Sequence, residues 1–359
     1  MYRCGKLYNS KSYTYCLVGM GVDIGSLFHM EEISIKDLQN QIIAIDAHNV
    51  LHQFLSSIRQ RDGTPLKDAN GQVTSHLSGL LHRTATLVEH QIRPVYVFDG
   101  IPHPLKQKTL ELRKHRKLAA EKEWRDALEK GDLDTARTKA QQTSRVTDDI
   151  VKQSKDLLTL LGIPFIQAPS EGESQASYMV KQGDAHAVGS QDFDCLLVGT
   201  PILIRNLTSS LRRKLPGKKA YTPVHPERIN FLSDLKKLGI TQKQLVDMAI
   251  LIGTDFNEGI KGIGPQKSLH LIKKNGNLEN VLSTMAVDNA PTFDEIKELR
   301  NLFLEPKVVK DYEISWNEPD IDGAIDLLCS TYQFSENRIK TALEKFTSMK
   351  EIMKQKTLF

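Results

Sequence analysis

The stretch "QIIAIDAHNVLHQFL" (residues 41–55) decides the fold class. It opens with β-branched and apolar residues, the run ends at Asp46, and helical periodicity follows. This change of period predicts a strand that leads directly into a helix, which is the basic unit of an α/β fold.

The same unit recurs along the chain. Strand-like runs lie in "IRPVYVFDGIP" (92–102), "IPFIQ" (163–167), "AHAVGSQDFDCLLVG" (185–199) and "VDMAILIGTDFNEG" (246–259). Strands that alternate with helices predict a mostly parallel central sheet flanked by helices. The insert 103–150 is rich in charged residues, Ala and Leu, and it predicts helix interrupted near "EKGDLDT" (129–135). Beyond about residue 240 the pattern is mostly helical.

Acidic residues stand at the ends of these apolar runs, where α/β sheets gather functional groups. The predicted cluster comprises Asp46, Asp99, Glu171, Glu173, Asp192, Asp194 and Asp255. Each residue alone has a simpler interpretation. Asp46 and Asp99 fit turn or helix-cap positions, and "SEGE" fits a capping box with Ser170 as N-cap and Glu173 at the third helical position.

Seven carboxylates in one crevice raise one another's pKa values unless a cation neutralises them. Mg²⁺ or Mn²⁺ suits such an oxygen site, and the chain has no matching set of Cys or His for zinc. Two such ions activate a water and stabilise the attacking and leaving oxygens of a phosphoryl displacement. The pattern therefore predicts a metal-dependent phosphodiesterase.

The charge distribution is compatible with a nucleic-acid partner. The 359 residues carry a net charge of only +4, but residues 101–145 contain 12 Lys/Arg against 7 Asp/Glu. Residues 205–219 contain six Lys/Arg and no acid. Such blocks fit either solvated faces or a polyanion partner.

The four cysteines form no metal-type pair, which favours reduced intracellular thiols. No apolar run approaches the ~18 residues of a membrane span.

A glycine-rich stretch, "GIKGIGPQKSLHLIKK" (259–274), opens a predicted helix. Its glycine spacing differs from that of the dinucleotide-binding fingerprint. Backbone N–H groups at such a turn, with Lys267 close by, suit a phosphate. Such turns also join helices structurally, but beside a nuclease centre this one favours a duplex grip without sequence preference.

At these residues the chain resembles the flap endonucleases, which are structure-specific 5′ nucleases of the XPG type. The matching runs are "AIDAHNVLHQFL", "VTSHL", "RPVYVFDGIP", "GIPFIQAPSEGESQASYMV", "SQDFDCLLVG", "LIGTDFNEGIKGIGPQKSL" and "LFLEPKVV". They extend from residue 21 to about residue 340, and the short tail is similar to that of archaeal members. The resemblance implies a PIN-like nuclease core with a helical arch and a helix-hairpin-helix element.

The resemblance also implies an activity and its partners. The implied activity is cleavage of 5′ flaps at branched DNA by two-metal hydrolysis, with 5′→3′ exonuclease activity. Its setting would be Okazaki-fragment maturation and long-patch base excision repair. We expect two Mg²⁺, with Mn²⁺ as a substitute, a possible K⁺ at the helix-hairpin-helix, and the sliding clamp PCNA as a partner. A monomer in the cytoplasm, associated with the nucleoid and not with a membrane, is expected.

Site roles follow from the same resemblance, residue by residue. Asp46, Asp99, Glu171 and Glu173 would serve the first metal, and Asp192, Asp194 and Asp255 the second. Lys106 and Arg113 would be the catalytic cations at the base of the arch. DNA contacts would come from Arg59, Arg83, Glu171, Gly253, Asp255, Gly262, Gly264 and Lys267.

The ends of the chain and one helix position depart from the family pattern. His52 stands where a tyrosine usually stacks on a flipped nucleotide. The tail "QKTLF" matches only the start of a clamp-binding peptide, through Gln355, Leu358 and Phe359; the alternative is a frayed helix end. Gly21 matches the glycine that the family exposes near the active site, so residues 1–19 are expected to be a non-native or disordered leader.

The predicted domain plan follows the family. Its boundaries are a leader (1–19), an N-terminal nuclease region (20–117), the remainder of the arch (118–145), an internal nuclease region with the helix-hairpin-helix (146–276), a C-terminal helical region (277–347) and a tail (348–359).

Three other functions remain open at this stage. They are a catalytically silent junction-binding scaffold recruited by the clamp, a relative that cuts bubbles or Holliday-type branches, and an RNA nuclease of the PIN-like type.

Overall fold

A seven-stranded sheet forms the centre of the computed structural model, which describes residues 21–209, 212–214, 221–285 and 291–356. The strands are β1 (Glu31–Glu32), β2 (Ile42–Asp46), β3 (Arg93–Phe98), β4 (Phe165–Gln167), β5 (Ala187–Gly189), β6 (Ile202–Arg205), β7 (Arg212–Lys214), β8 (Tyr221–Pro223) and β9 (Glu227–Asn230). The sheet has the order β1-β9-β6-β5-β2-β3-β4, and β7 pairs with β8 separately. Strands β2 to β6 are parallel, and β9 is antiparallel to both its neighbours. The predicted mostly parallel sheet is confirmed.

Fourteen α-helices are formed by the described residues. They are α1 (Ala47–Ser57), α2 (Ser75–Glu89), α3 (Gln107–Glu129), α4 (Leu133–Gln141), α5 (Asp148–Leu160), α6 (Gly172–Gln182), α7 (Asp194–Leu197), α8 (Phe231–Leu238), α9 (Gln242–Ile252), α10 (Pro265–Asn275), α11 (Leu278–Thr284), α12 (Phe293–Leu304), α13 (Ile321–Ile325) and α14 (Glu336–Lys356). None of the helices in this part of the chain is long and apolar enough to cross a membrane.

Strand β2 is apolar at nearly every position because both faces of the sheet are covered. Ile43 and Ile45 belong to the core on one face, and Ala44 belongs to the core on the other. Helices α1, α2, α5 and α14 supply the first core, whereas α6, α7, α9 and α10 supply the second. The continuous apolar run therefore reflects burial on two sides.

The apolar run before Asp255 is a helix, and our prediction of a strand there was wrong. Helix α9 begins with a capping box in which Thr241 and Gln244 satisfy each other's backbone N–H groups. Seven of its eleven residues are buried, since other helices pack around it. A helix buried on most sides carries the same apolar run as a buried strand, so periodicity alone does not separate the two.

The charged insert forms a helical hairpin of α3 and α4, which occupies the expected arch. Gly131, with a φ of +71°, makes the turn between them. Buried alanines on the two helices let them pack closely, and Trp124 on α3 donates its Nε1–H to the carbonyl of Asp62 at 3.0 Å. The hairpin thus lies against the loop that follows α1.

Candidate metal centre and nucleic-acid interface

Three strand ends bring the acidic residues to one edge of the sheet. Strands β3 and β4 lie on one side of β2, and strands β5 and β6 lie on the other side. The strand order therefore reverses at β2. Asp46 is the last residue of β2, Asp99 follows β3, and Asp192 follows β5. A reversal of strand order opens a crevice at the carboxyl ends of the strands, where ligands bind in open α/β sheets.

Asp46 has two roles in this crevice. One carboxylate oxygen accepts the N–H of Asn49 at 2.9 Å and so caps α1, as the simpler interpretation predicts. The other accepts the hydroxyl of Ser190 at 3.2 Å. Burial, with Asp99 and then Asp192 nearby, raises the pKa of Asp46 to about 8. Capping and membership of the acidic cluster are therefore compatible.

Glu171 and Glu173 begin α6 but do not cap it. The expected capping box with Ser170 is absent: Glu171 is the N-cap residue, without a side-chain capping bond, and Glu173 is the second helical residue. The carboxylate of Asp99 takes the N–H of Gly172 instead, at 2.7 Å. Burial, followed by the charges of Asp192 and Asp194, raises the pKa of Glu173 well above its ordinary value. Neither glutamate carboxylate is therefore used to cap the helix.

Asp192 and Asp194 contact the first described residues of the chain. The carboxylate of Asp194 accepts the N–H of Val22 at 2.7 Å, and that of Asp192 accepts the N–H of Asp194 at 3.1 Å. Gly21 has a φ of +72°, and a Cβ at this position would lie 1.9 Å from Asp192 Oδ1. Only glycine fits here, so the chain at residue 21 is packed directly against the acidic cluster.

Two cations at the base of the helical hairpin, Lys106 immediately before α3 and Arg113 on α3, reach the same carboxylates. Lys106 contacts Glu171 and lies 3.5 Å from Asp255, and Arg113 donates to Asp255 at 2.5 Å. Burial alone would lower the pKa of Lys106, but the charges of Glu171 and its neighbours outweigh burial and raise it. The hairpin base is therefore held on the acidic cluster by ion pairs.

The donor set suits a hard divalent cation, as oxygen ligands with raised pKa values lie at one sheet edge. In the described ranges, no three Asp, Glu, His or Cys side chains already converge as ligands of one ion. Lys106 explains why these carboxylates do not converge, because its ammonium is within ion-pair range of both Glu171 and Asp255. Occupancy by metals would require these cations to withdraw from the carboxylates.

The raised carboxyl pKa values predict how metal-free stability depends on pH. The folded chain keeps protons on Asp46 between its ordinary pKa of 3.8 and its folded value of about 8, whereas the unfolded chain releases them. The free energy of unfolding therefore falls as pH rises through this window. In EDTA we expect the melting temperature to fall from pH 5 to pH 8, and the gain on adding Mg²⁺ to grow with pH.

Scanning calorimetry across this pH range checks the expectation, with Asp46→Asn as the comparison. Its slope in EDTA should be shallower, because one buried titrating group is gone. A Mg²⁺ gain that is the same at pH 5 and pH 8 would contradict the coupling of protons and metal.

The glycine turn before α10 exposes backbone on its outer side. Gly262 has a φ of +82°, and a Cβ added at either Gly262 or Gly264 would meet no atom within 4 Å. Gly264 is the N-cap of α10, and Lys267 donates to the carbonyl of Gly262 at 3.3 Å. An open turn at a helix N-terminus permits close approach of a phosphate. Gly253, at a φ of +108°, instead packs tightly against the carbonyl of Glu258.

Arg59 and Arg83 lie in different surroundings. The guanidinium of Arg59 donates to the carbonyls of Leu55 and Gly63 at 2.7 and 2.8 Å, so it also holds the loop after α1. Partial burial lowers the pKa of Arg83, which lies on α2.

His52 lies on α1, and burial together with nearby positive charges, of which Lys117 is the largest, lowers its pKa to about 3. His52 is therefore neutral at physiological pH.

Two predictions, the leader and the clamp-binding peptide, concern residues at the ends of the chain that lie wholly or partly outside the described residues. Leu358 and Phe359 of the tail lie outside the described residues, as do residues 1–20. Gln355 is in the last turn of α14. The clamp-binding peptide and the leader therefore stay predictions.

Sequence reasoning missed several residues that hold the acids in place. His48 accepts the backbone N–H of Asp99 at its Nδ1, at 3.1 Å. Ser190 donates to Asp46, and Gln167 donates to the carbonyl of Asp99 at 2.6 Å. Their positions in the sequence could have indicated this role. His48 is two residues beyond Asp46, and Gln167 ends strand β4, which lies beside the strand that precedes Asp99.

Comparison with known proteins places the chain in a family. The XPG N-terminal domain matches residues 22–120, and the XPG I-region matches residues 162–255. Flap endonuclease 1 of Archaeoglobus fulgidus is 50% identical over 331 residues, which cover 92% of this chain and 97% of that protein. Flap endonuclease 1 of Pyrococcus abyssi is 47% identical over 340 residues, covering 94% and 97%.

The solved structure of flap endonuclease-1 from Methanococcus jannaschii has the same fold. It superposes with a TM-score of 0.71 at 39% identity, and the match covers 91% of this chain and 98% of that one. The fold, the identity and the coverage agree with the motifs that the sequence carries. The chain belongs to the flap endonuclease family of XPG-type nucleases.

Proposed function

We propose that the chain cleaves 5′ flaps at branched DNA junctions by two-metal phosphodiester hydrolysis, and that the same centre has 5′→3′ exonuclease activity at nicks or gaps. The observation that carries the proposal is the set of seven acids at one sheet edge, with two cations from the base of the helical hairpin among them. Family membership supplies the reaction class. Okazaki-fragment maturation and long-patch base excision repair are the proposed settings.

Two Mg²⁺, or Mn²⁺ in their place, are the proposed cofactors. We assign one ion to Asp46, Asp99, Glu171 and Glu173, and the other to Asp192, Asp194 and Asp255. When bound, such ions lower the pKa of a water and stabilise the oxygens of an in-line displacement. This chain's own residues do the rest: Ser190 and the N–H of Val22 orient the carboxylates that hold the ions.

Lys106 and Arg113 are the proposed catalytic cations. In the metal-free protein they neutralise Glu171 and Asp255. Divalent ions on the same carboxylates would replace that neutralisation and free the two side chains to contact the scissile phosphate. A cation placed there stabilises the negative charge that develops in the transition state.

The DNA contacts are proposed on separate elements. The open turn at Gly262–Gly264, with Lys267, suits a phosphate of the downstream duplex, with K⁺ as a possible bridging ion. Arg59 and Arg83 are proposed to contact the DNA backbone on the side of α1 and α2. These contacts carry no sequence information, so they select a shape and not a base order.

The remaining partner proposals rest on the resemblance and on the tail. Gln355, Leu358 and Phe359 are proposed to bind the sliding clamp PCNA as a short peptide. The chain is proposed to act as a monomer in the cytoplasm, with the nucleoid.

A panel of labelled substrates tests the proposed function. In Mg²⁺ we expect incision of a double-flap DNA at the junction, and much slower incision of a bubble, a four-way junction or a flap made of RNA. Binding of the flap without incision would favour the scaffold alternative. Preference for the bubble, the four-way junction or the RNA flap would favour the corresponding rival nuclease.

The panel is run with the full chain and with residues 21–359. Gly21 is packed against Asp192, so the two forms differ only in what precedes a residue that contacts the acidic cluster. If only the shorter form incises, the leader blocks the site; if neither does, the proposed function fails.

A further inference from the structure

Asp99 is held by three neighbours. Its backbone N–H donates to His48 Nδ1 at 3.1 Å, and its carbonyl accepts Gln167 Nε2 at 2.6 Å. Carboxylate oxygen Oδ1 accepts the N–H of Gly172 at 2.7 Å, while Oδ2 lies 3.5 Å from His48 Nδ1. These contacts fix the backbone and one oxygen and leave Oδ2 for another ligand.

His48 is the contact that links two strand ends. It lies in the first turn of α1, two residues beyond Asp46, and reaches across to the residue that follows β3. Its ring packs edge-on against Phe98, with ring centres 6.0 Å apart. The side chain of His48 therefore links helix α1 to the end of strand β3. Both the packing on Phe98 and the hydrogen bond to Asp99 constrain its rotamer.

The hydrogen bond also fixes the chemistry of the ring. Because Nδ1 accepts the N–H of Asp99, its lone pair is in use and the ring proton of neutral His48 is on Nε2. Without this acceptor, the N–H of Asp99 would lose its partner in a partly buried site, which is unfavourable for a backbone donor. The local backbone would then relax, and the carboxylate would move with it.

We propose that His48 is a positioning residue for the metal centre: its Nδ1 sets the orientation of Asp99 and thereby the affinity for divalent cations. The inference rests on the proposed function, since it concerns an ion on Asp99. Partners of metal ligands typically contribute about 10–100-fold to metal affinity. The role of His48 is to hold Asp99 and not to contact the substrate.

Two substitutions separate this role from packing. His48→Phe keeps a ring against Phe98 but removes the acceptor, whereas His48→Asn loses the ring but keeps an acceptor oxygen near the position of Nδ1. We expect Mn²⁺ binding without DNA, measured by calorimetry, to weaken about 10–100-fold in His48→Phe. In His48→Asn it should weaken by less than about threefold.

Single-turnover incision gives a second readout. The Mg²⁺ concentration for half-maximal rate should rise about 10–100-fold in His48→Phe, while the rate at saturating Mg²⁺ stays close to that of the unsubstituted chain. His29→Phe, the same change at an exposed histidine, is the control and should alter neither quantity.

The outcomes distinguish the inference from the function on which it rests. If the unsubstituted chain binds no Mn²⁺ and incises no flap, the proposed function fails. If it does both, and His48→Phe has an unchanged metal curve and only a lower melting temperature, His48 is structural and the inference is overturned. Equal weakening in His48→Phe and His48→Asn would also overturn it, because the acceptor would not be the cause.

Discussion

We expect Asp192→Asn to lose nearly all incision of a 5′ flap while the chain still binds the junction. Asp192 belongs to the acidic cluster, where Gly21 packs against it and the N–H of Asp194 donates to it. Asparagine keeps an oxygen for that hydrogen bond and removes only the charge. A bound divalent ion contributes several kcal/mol to the transition state. Since about 1.4 kcal/mol is a factor of ten, we expect a loss on the order of 10³-fold or more in single-turnover rate.

The measurement is quenched-flow incision of a labelled double-flap DNA, with junction affinity measured in parallel by fluorescence anisotropy. Asp311→Asn, at an exposed carboxylate, is the matched control and should behave as the unsubstituted chain does. Incision by Asp192→Asn at an undiminished rate would remove Asp192 from the metal centre.

Lys106→Ala is expected to slow the chemical step far more than it weakens DNA binding. Its side chain is 14% exposed, and its ammonium lies among the acids that would hold the metals. One cation adds little to a broad phosphate footprint, but loss of a charge that stabilises the transition state costs about 10²–10³-fold in rate. Rapid-quench incision at saturating DNA, beside equilibrium binding, separates the two quantities.

Metal dependence distinguishes Lys106 from Asp192. Lys106 competes with cations for Glu171, so its removal should not raise the Mg²⁺ concentration needed for half-maximal rate. Lys108→Ala is the matched control, because this lysine is 71% exposed and pairs with Glu258. If junction binding collapses in Lys106→Ala while the rate at saturation is kept, Lys106 is an anchor for DNA and not a catalytic cation.

Much of the site could be predicted because strand ends in a parallel sheet meet at one edge. The run that ends at Asp46 is apolar on both faces of the sheet, and similar apolar runs precede Asp99 and Asp192. This pattern alone predicts that the acids at the ends of β2, β3 and β5 lie close together. The sequence also indicates the break in the insert at Gly131, where the structure has a left-handed turn. These features depend on the local spacing of apolar residues and on the backbone preference of one residue, Gly131.

Other features depend on tertiary packing and could not be inferred from the pattern. The segment before Asp255 is apolar because helices surround it, so a buried helix was mistaken for a strand. "SEGE" has the composition of a capping box, but the acceptor at the start of α6 is the carboxylate of Asp99, which follows β3. The contact of His48 with Asp99 spans 51 residues, and no local pattern reports it.

Metal-dependent flap cleavage is tested most directly by incision of a 5′-labelled double-flap DNA by residues 21–359, as Mg²⁺ is titrated into an EDTA-treated protein. We predict no product in EDTA, incision at the junction once Mg²⁺ is present, and loss of that incision in Asp192→Asn. Junction-specific incision that persists in EDTA, or tight binding of the flap with no incision at any Mg²⁺ concentration, would contradict this prediction.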